Sequence, residues 1–258
     1  MQHFKILVAE DDPLSQEMLK IILSKEGYEV VCVSNGLEAL DAVETQKPDL
    51  VLMDLQMPVL DGIDTCKRLR IRKNGSERLP IIALTASPSQ SNRIKYGEML
   101  FNEILPKPFE RKQILEVIAS YLTKDGQGQT KHQPTTPEVD KTPLLDWVSA
   151  ASQFGDDVDA FKDLFNEFLQ TLPDRLEQMR QDLQEKNMGE LSTKAHNLKG
   201  ISANFGALAL SKLSAQLDKE SENGQTLAAE ATLQKVSANV ETLIKYSRSL
   251  FNGNLSVR

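Results

Sequence analysis

The chain has 258 residues, 26% of them charged, a formal net charge of −7 and two cysteines, which is enough length for two ordinary domains. Residues 1–123 carry 15 basic and 18 acidic side chains, 124–143 three of each, and 144–258 12 and 16. Neither half therefore offers the basic surface of a non-specific nucleic-acid binder. Cys32 and Cys66 lack CxxC or metal-ligand spacing, no apolar run approaches the ~18 residues of a membrane span, and the start M-Q-H-F-K-I-L-V-A-E-D-D is too acidic for a signal peptide. Two buried, reduced thiols in a soluble cytoplasmic protein are expected.

From Lys5 to Thr123, short apolar runs alternate with helical patterns. The runs K-I-L-V-A, Y-E-V-V-C-V, D-L-V-L-M, P-I-I-A-L-T and E-I-L-P-K are continuous in Val, Ile and Leu, as strands buried on both faces require. Between and after them the 3.6-residue period predicts helices over 14–25, 37–45, 62–72, 111–122 and, weakly, 89–100. Asp12-Pro13 reads as a helix cap followed by proline at the first helical position. Strands alternating with helices imply right-handed βαβ units and a doubly wound five-stranded parallel sheet of the α/β class.

Residues 124–143 contain one aliphatic side chain, Val139, and cannot bury enough surface to order themselves. A flexible tether of this length spans about 25 Å. Strand signals then stop. Amphipathic stretches cover 144–151, 157–185, 189–204, 207–223 and 226–251, four of them long, which predicts an all-α antiparallel four-helix bundle. Pro173 is expected to kink the second of these, and Trp147 to pack on the first.

Ligands of open parallel sheets bind at the carboxyl ends of the strands. Standing there are Glu10 and Asp11 after strand one, Asp54 after strand three, Thr85 at the end of strand four and Lys107 after strand five. Three carboxylates at one edge repel unless a cation or proton joins them, and Mg²⁺ suits such an oxygen set. A hydroxyl and a lysine beside them suit the remaining oxygens of a phosphoryl group.

The blocks I-L-V-A-E-D-D-P, V-L-M-D-L-Q-M-P-V-L-D-G, A-L-T-A-S and L-P-K-P-F resemble the signature of response-regulator receiver domains over residues 1–123, a flavodoxin-like fold. The resemblance implies that Asp54 accepts phosphate. It implies that Glu10, Asp11 and Asp54 hold Mg²⁺ together with the Gln56 carbonyl, and that Thr85 and Lys107 contact the phosphoryl group. It also implies a cis Lys107–Pro108 bond. Ile104 departs from the family, standing where receivers usually carry Tyr or Phe, so an aromatic switch coupled to Thr85 is not expected.

In the second half, Met188, Leu191, Ala195, Leu198, Ser202 and Phe205 form one small-or-apolar helical stripe. His196 points away from its centre, with Lys199, Gly200 and Ala203 on the same side, so an exposed imidazole is expected. Gly200 costs about 1 kcal/mol relative to Ala in a helix, which the close docking of a flat partner would explain.

A-H-N-L-K-G followed by S-A-N-F-G-A resembles the phosphorylation motif of histidine phosphotransfer (HPt) domains; the likeness covers roughly residues 144–251, and the domain is expected over 144–258. It implies that His196 accepts phosphate, that Lys199 steadies its charge and that Gly200 leaves room for a receiver. The expected function is a two-component phosphorelay protein, phosphorylated on Asp54 and exchanging phosphate through His196 with a receiver aspartate. The expected partners are an upstream histidine kinase and a downstream response-regulator receiver. A monomer is expected, with no nucleic acid, no membrane insertion and no kinase activity, since no Gly-rich ATP site is present. The alternative is a phosphotransfer module serving an external receiver, with Asp54 as a phosphate sink or regulatory input. The basic stretch K-R-L-R-I-R-K, residues 67–73, is read as a solvated helix face, and His3 and His132 receive no role.

Overall fold

A computed structural model describes residues 4–72, 78–85, 100–122 and 142–251 of the chain. Packing divides the chain into two compact units, Met1–Pro137 and Glu138–Arg258. In the first, strands β1 (Lys5–Ala9), β2 (Glu29–Val33), β3 (Leu50–Asp54), β4 (Ile81–Thr85) and β5 (Glu103–Pro106) form a sheet in the order β2-β1-β3-β4-β5, and every neighbouring pair is parallel. β3 and β4 are buried along their whole length, while β2, an edge strand, is only half-buried. The continuous aliphatic runs belong to the central strands because helices cover both sheet faces.

Those helices are α1 (Pro13–Lys25), α2 (Gly36–Gln46), α3 (Gly62–Ile71) and α4 (Arg111–Leu122). Asp12 caps α1 by accepting from the Leu14 and Ser15 amides, with Pro13 at the first helical position. Asn35 and Asp61 cap α2 and α3 in the same way. The helix expected at 89–100 lies outside the described residues except for Leu100. Two expectations need correction. Cys32, on an edge strand, is half-buried, whereas Cys66 is fully buried; both are free thiols. The basic face of α3 is only partly solvated: Arg70 donates to the carbonyls of Leu79 and Leu100 and to Asn102, and Arg72 to the Leu40 carbonyl and Glu44, tying α3 to neighbouring segments.

The second unit has a short α5 (Trp147–Ser152) and four long helices, α6 (Val158–Gln184), α7 (Met188–Asn204), α8 (Leu208–Glu222) and α9 (Thr226–Leu250). α6 packs on α7, α7 on α8, α8 on α9 and α9 back on α6, which closes a four-helix bundle. Its centre is aromatic: Phe161, Phe165 and Phe168 of α6 meet Phe205, with ring centroids 5.0–6.2 Å apart. α6 continues through Pro173. Trp147 packs edge-on against Phe251.

The turn between α7 and α8 is a Schellman motif. Gly206 N–H donates to Ala203 and Ala207 N–H to Ser202, with Gly206 at φ +73°. A Cβ at Gly206 would lie 2.3 Å from the Asp146 carbonyl, whereas at Gly224, the corresponding turn before α9 (φ +68°), it would meet nothing within 4 Å. Gly206→Ala should therefore combine left-handed strain with overpacking and cost about 2–4 kcal/mol. Gly224→Ala should cost only the strain, about 1–2 kcal/mol. Denaturant unfolding followed by fluorescence of Trp147, the chain's single tryptophan, reads both. Equal losses would show that the Asp146 contact is not what selects glycine at 206.

Candidate functional site

Parallel strands all point the same way, so the ends of β1, β3, β4 and β5 share one sheet edge. Register brings Asp54 opposite Leu84 and Thr85 opposite Pro106, and the Lys107 amide donates to the Thr85 carbonyl at 2.7 Å. Glu10, Asp54 and Thr85 are buried there. The Lys107 ammonium sits between two carboxylates, 2.5 Å from Glu10 Oε2 and 2.5 Å from Asp54 Oδ2. Asp54 Oδ1 accepts the Gln56 amide at 3.0 Å, so with Lys107 on Oδ2 both carboxylate oxygens are held. The Lys107–Pro108 bond is cis.

Glu10, Asp11 and Asp54 each bring one carboxylate oxygen within 4.8 Å of the others. Burial, above all, pushes the Glu10 carboxyl well above the ordinary glutamate range; Lys107 opposes this and the Asp54 and Asp11 charges reinforce it. Burial would lower the Lys107 pKa, but the Asp54 and Glu10 carboxylates outweigh it and hold the ammonium charged. With all three carboxylates ionised, they and the one ammonium would leave a formal charge of −2. This is a set of hard oxygens with the charge a small divalent cation cancels. Ile104, at the usual aromatic position, pairs with Ala83 and packs against the core.

The bundle overturns one expectation. His196 is buried, at 7% exposure, and Gly200 and Ala203 are buried with it. The stripe through Leu191, Ala195, Leu198 and Ser202 is indeed buried, but α7 has a second packed face. α8 lies along that face: Ser211 Oγ donates to the Lys199 carbonyl at 2.9 Å, and Asp218 reaches both Ser192 and His196. Helical spacing fixes where a side chain stands around its own axis, not which neighbouring helix lies opposite.

His196 Nδ1 is 2.9 Å from Asp218 Oδ2, and Ser192 Oγ donates to Asp218 Oδ1 at 2.7 Å. Burial alone would raise the Asp218 carboxyl, but hydrogen bonds from His196 and Ser192 and the neighbouring His196 and Lys199 charges hold it below the ordinary aspartate value. An ionised carboxylate only accepts, so Nδ1 carries the proton that faces Asp218. Lys199 is half-buried, and burial lowers its pKa against the pull of Asp218. Asp218 and Ser192 were not singled out from sequence. The legible signal was the spacing Ser211, Ser214, Asp218, Ser221, a small-residue stripe interrupted by one acid on α8.

A family model described as the response regulator receiver domain matches residues 6–119, and one described as the Hpt domain matches residues 163–246. Response regulator MprA of Mycobacterium sp. (strain KMS) is 35% identical over 138 residues, which are 54% of this chain and 59% of that protein. Response regulator MprA of Mycobacterium avium (strain 104) is 37% identical over 120 residues, 46% of this chain and 51% of that protein. The chain thus spans less than two thirds of the length of these curated relatives. Among solved structures, the receiver domain of a sensor histidine kinase from Pseudomonas aeruginosa PAO1, described with a magnesium ion in its active-site cleft, is 35% identical with a TM-score of 0.43. It covers 46% of this chain and 98% of its own. A chemotaxis response regulator of Vibrio cholerae is 26% identical with a TM-score of 0.44, covering 47% of this chain and all of its own.

The depressed Asp218 carboxyl makes the bundle sensitive to acid. Because its folded pKa lies below the unfolded one, its stabilisation is complete above the ordinary aspartate value of about 3.9 and is lost as pH falls through the folded value. Asp218→Asn should lower bundle stability at pH 7 and flatten its acid-side decline. Trp147 fluorescence during urea unfolding between pH 7 and pH 3 measures both. Parallel pH profiles for the parent and the variant would remove Asp218 from the account.

Proposed function

We propose, for a chain that joins a response regulator receiver domain to an Hpt domain, that it works as a phosphorelay intermediate in two-component signalling. The observation that carries this reading is that each unit seats its proposed acceptor against a charged side chain: Asp54 against Lys107, and His196 against Asp218. The proposed limits are 1–123 for the receiver, 124–143 for the linker and 144–258 for the HPt domain.

In the first step a carboxylate oxygen of Asp54 attacks a phosphohistidine of an upstream histidine kinase. The P–N bond breaks, a P–O bond forms, and the donor imidazole leaves with the electron pair. Lys107 and Thr85 then stand beside the new acyl phosphate, with Lys107 giving up part of its pairing to Asp54 to meet phosphoryl oxygens. Glu10, Asp11 and Asp54, with the Gln56 carbonyl, would hold Mg²⁺. Bound there, it supplies the positive charge that lets an anion approach three carboxylates. In the second step Nε2 of His196 attacks an aspartyl phosphate, a P–N bond forms and the carboxylate departs. The positive charge left on the imidazole is shared with Asp218 through Nδ1–H, and Lys199 faces the phosphoryl oxygens. Neither step consumes a nucleotide.

A downstream response-regulator receiver takes phosphate from His196, or returns it. We place the protein in the cytoplasm as a monomer that binds no nucleic acid. Among the described residues, no helix is long and apolar enough to cross a membrane.

Treatment with a small acyl phosphate and Mg²⁺ should label the chain in two ways. One label is acid-stable and base-labile, lost in Asp54→Asn. The other is base-stable and acid-labile, lost in His196→Gln. Chelating the divalent cation should abolish the Asp54 label. If Asp54→Asn labels like the parent, Asp54 is not the acceptor.

The direction and molecularity of transfer follow from a chase. Phosphate loaded on Asp54 should move to His196 at a rate independent of protein concentration if transfer stays within one chain. A rate rising linearly with concentration means exchange between chains. If a foreign receiver charges His196 while Asp54 of the same chain never does, Asp54 serves as a sink and the bundle serves an external receiver.

A further inference from the structure

His196 is not the only residue of α7 that Asp218 grips. Ser192 stands one turn before His196 on the same helix face, and Asp218 of α8 spans the two, Oδ1 accepting from Ser192 Oγ at 2.7 Å and Oδ2 facing His196 Nδ1 at 2.9 Å. A carboxylate on a single Cα–Cβ–Cγ stem can rotate about χ1 and χ2, and one hydrogen bond does not fix its plane. Two bonds to groups held 5–6 Å apart on a rigid helix do. The Asp218 side chain is only 15% exposed, and the Ser211 bond to the Lys199 carbonyl pins α8 to α7 near the same site.

We propose that Ser192 is a positioning residue for the phosphoacceptor: by clamping Oδ1 of Asp218 it aims Oδ2 at Nδ1 of His196, and so commits the imidazole to the Nδ1–H tautomer with Nε2 as nucleophile. This rests on the phosphotransfer reading of His196 for its consequence, but not for its geometry. Uptake of phosphate then needs no tautomer change. The Nε2 electron pair forms the P–N bond, the acyl P–O bond breaks, its electrons leave with the aspartate carboxylate, and the Nδ1 proton stays in place against Asp218. With Ser192 truncated, Asp218 is free to turn toward Lys199, whose charge acts on it already. Part of the imidazole population then carries its proton on Nε2, where it cannot attack.

The chain has three histidines, so ¹⁵N-histidine labelling of the full-length protein gives a simple spectrum, and His196→Gln identifies the signal of interest. At a pH where the ring is neutral, the parent should show His196 as a single Nδ1–H tautomer. Ser192→Ala should show a mixture of tautomers and accept phosphate from a small acyl phosphate or a loaded receiver about fivefold more slowly, as losing one hydrogen bond implies. Ser192→Thr, which keeps the hydroxyl, should restore both. Three results overturn the proposal: an Nε2–H tautomer in the parent, a single Nδ1–H tautomer with parental uptake in Ser192→Ala, or Ser192→Thr behaving like Ser192→Ala. If His196 takes phosphate in no form of the chain, the phosphotransfer reading falls, while the tautomer spectra still decide the role of Ser192.

Discussion

A buried ionisable side chain needs a polar partner, and both units of this chain are built around that constraint. At the sheet edge the partner is Lys107, lodged between Glu10 and Asp54. Burial disfavours a charged carboxylate at that depth and pushes the Glu10 carboxyl up, a push that the Lys107 charge opposes. In the bundle the polarity is reversed. An imidazole is buried beside a carboxylate, Asp218, whose pKa is held down by the groups it binds. In one unit a cation sits between acids; in the other a carboxylate sits against a base.

The scaffold serves these pairings through simple geometry. Parallel strands deliver Glu10, Asp54, Thr85 and Lys107 to one edge because every strand ends on the same side, although Glu10 and Lys107 are 97 residues apart. The helix caps at Asp12, Asn35 and Asp61 start each helix close behind that edge. The bundle needs no such long reach. A turn with Gly206 in the left-handed region folds α8 back along α7, which sets Ser192, His196 and Lys199 opposite Ser211 and Asp218. The small residues that look like a bare surface, Gly200 and Ala203, are buried.

The α/β and all-α halves, nearly every element and the acidic edge were legible in the amino-acid order, because the evidence for them is local. A run such as L-V-L-M-D announces a buried strand and its terminal acid within five residues, and Asp12-Pro13 announces a helix start within two. Tertiary structure alone decided the partners. The sequence placed Lys107 beside a phosphoryl group, and the fold shows it bound to Glu10 and Asp54. The sequence turned His196 toward solvent, and the fold covers it with α8 and hands it Asp218. The physical reason is the same in both cases. Periodicity and capping are properties of one segment and its own axis, whereas burial, charge pairing and tautomer depend on which segment, distant along the chain, comes to lie across from it.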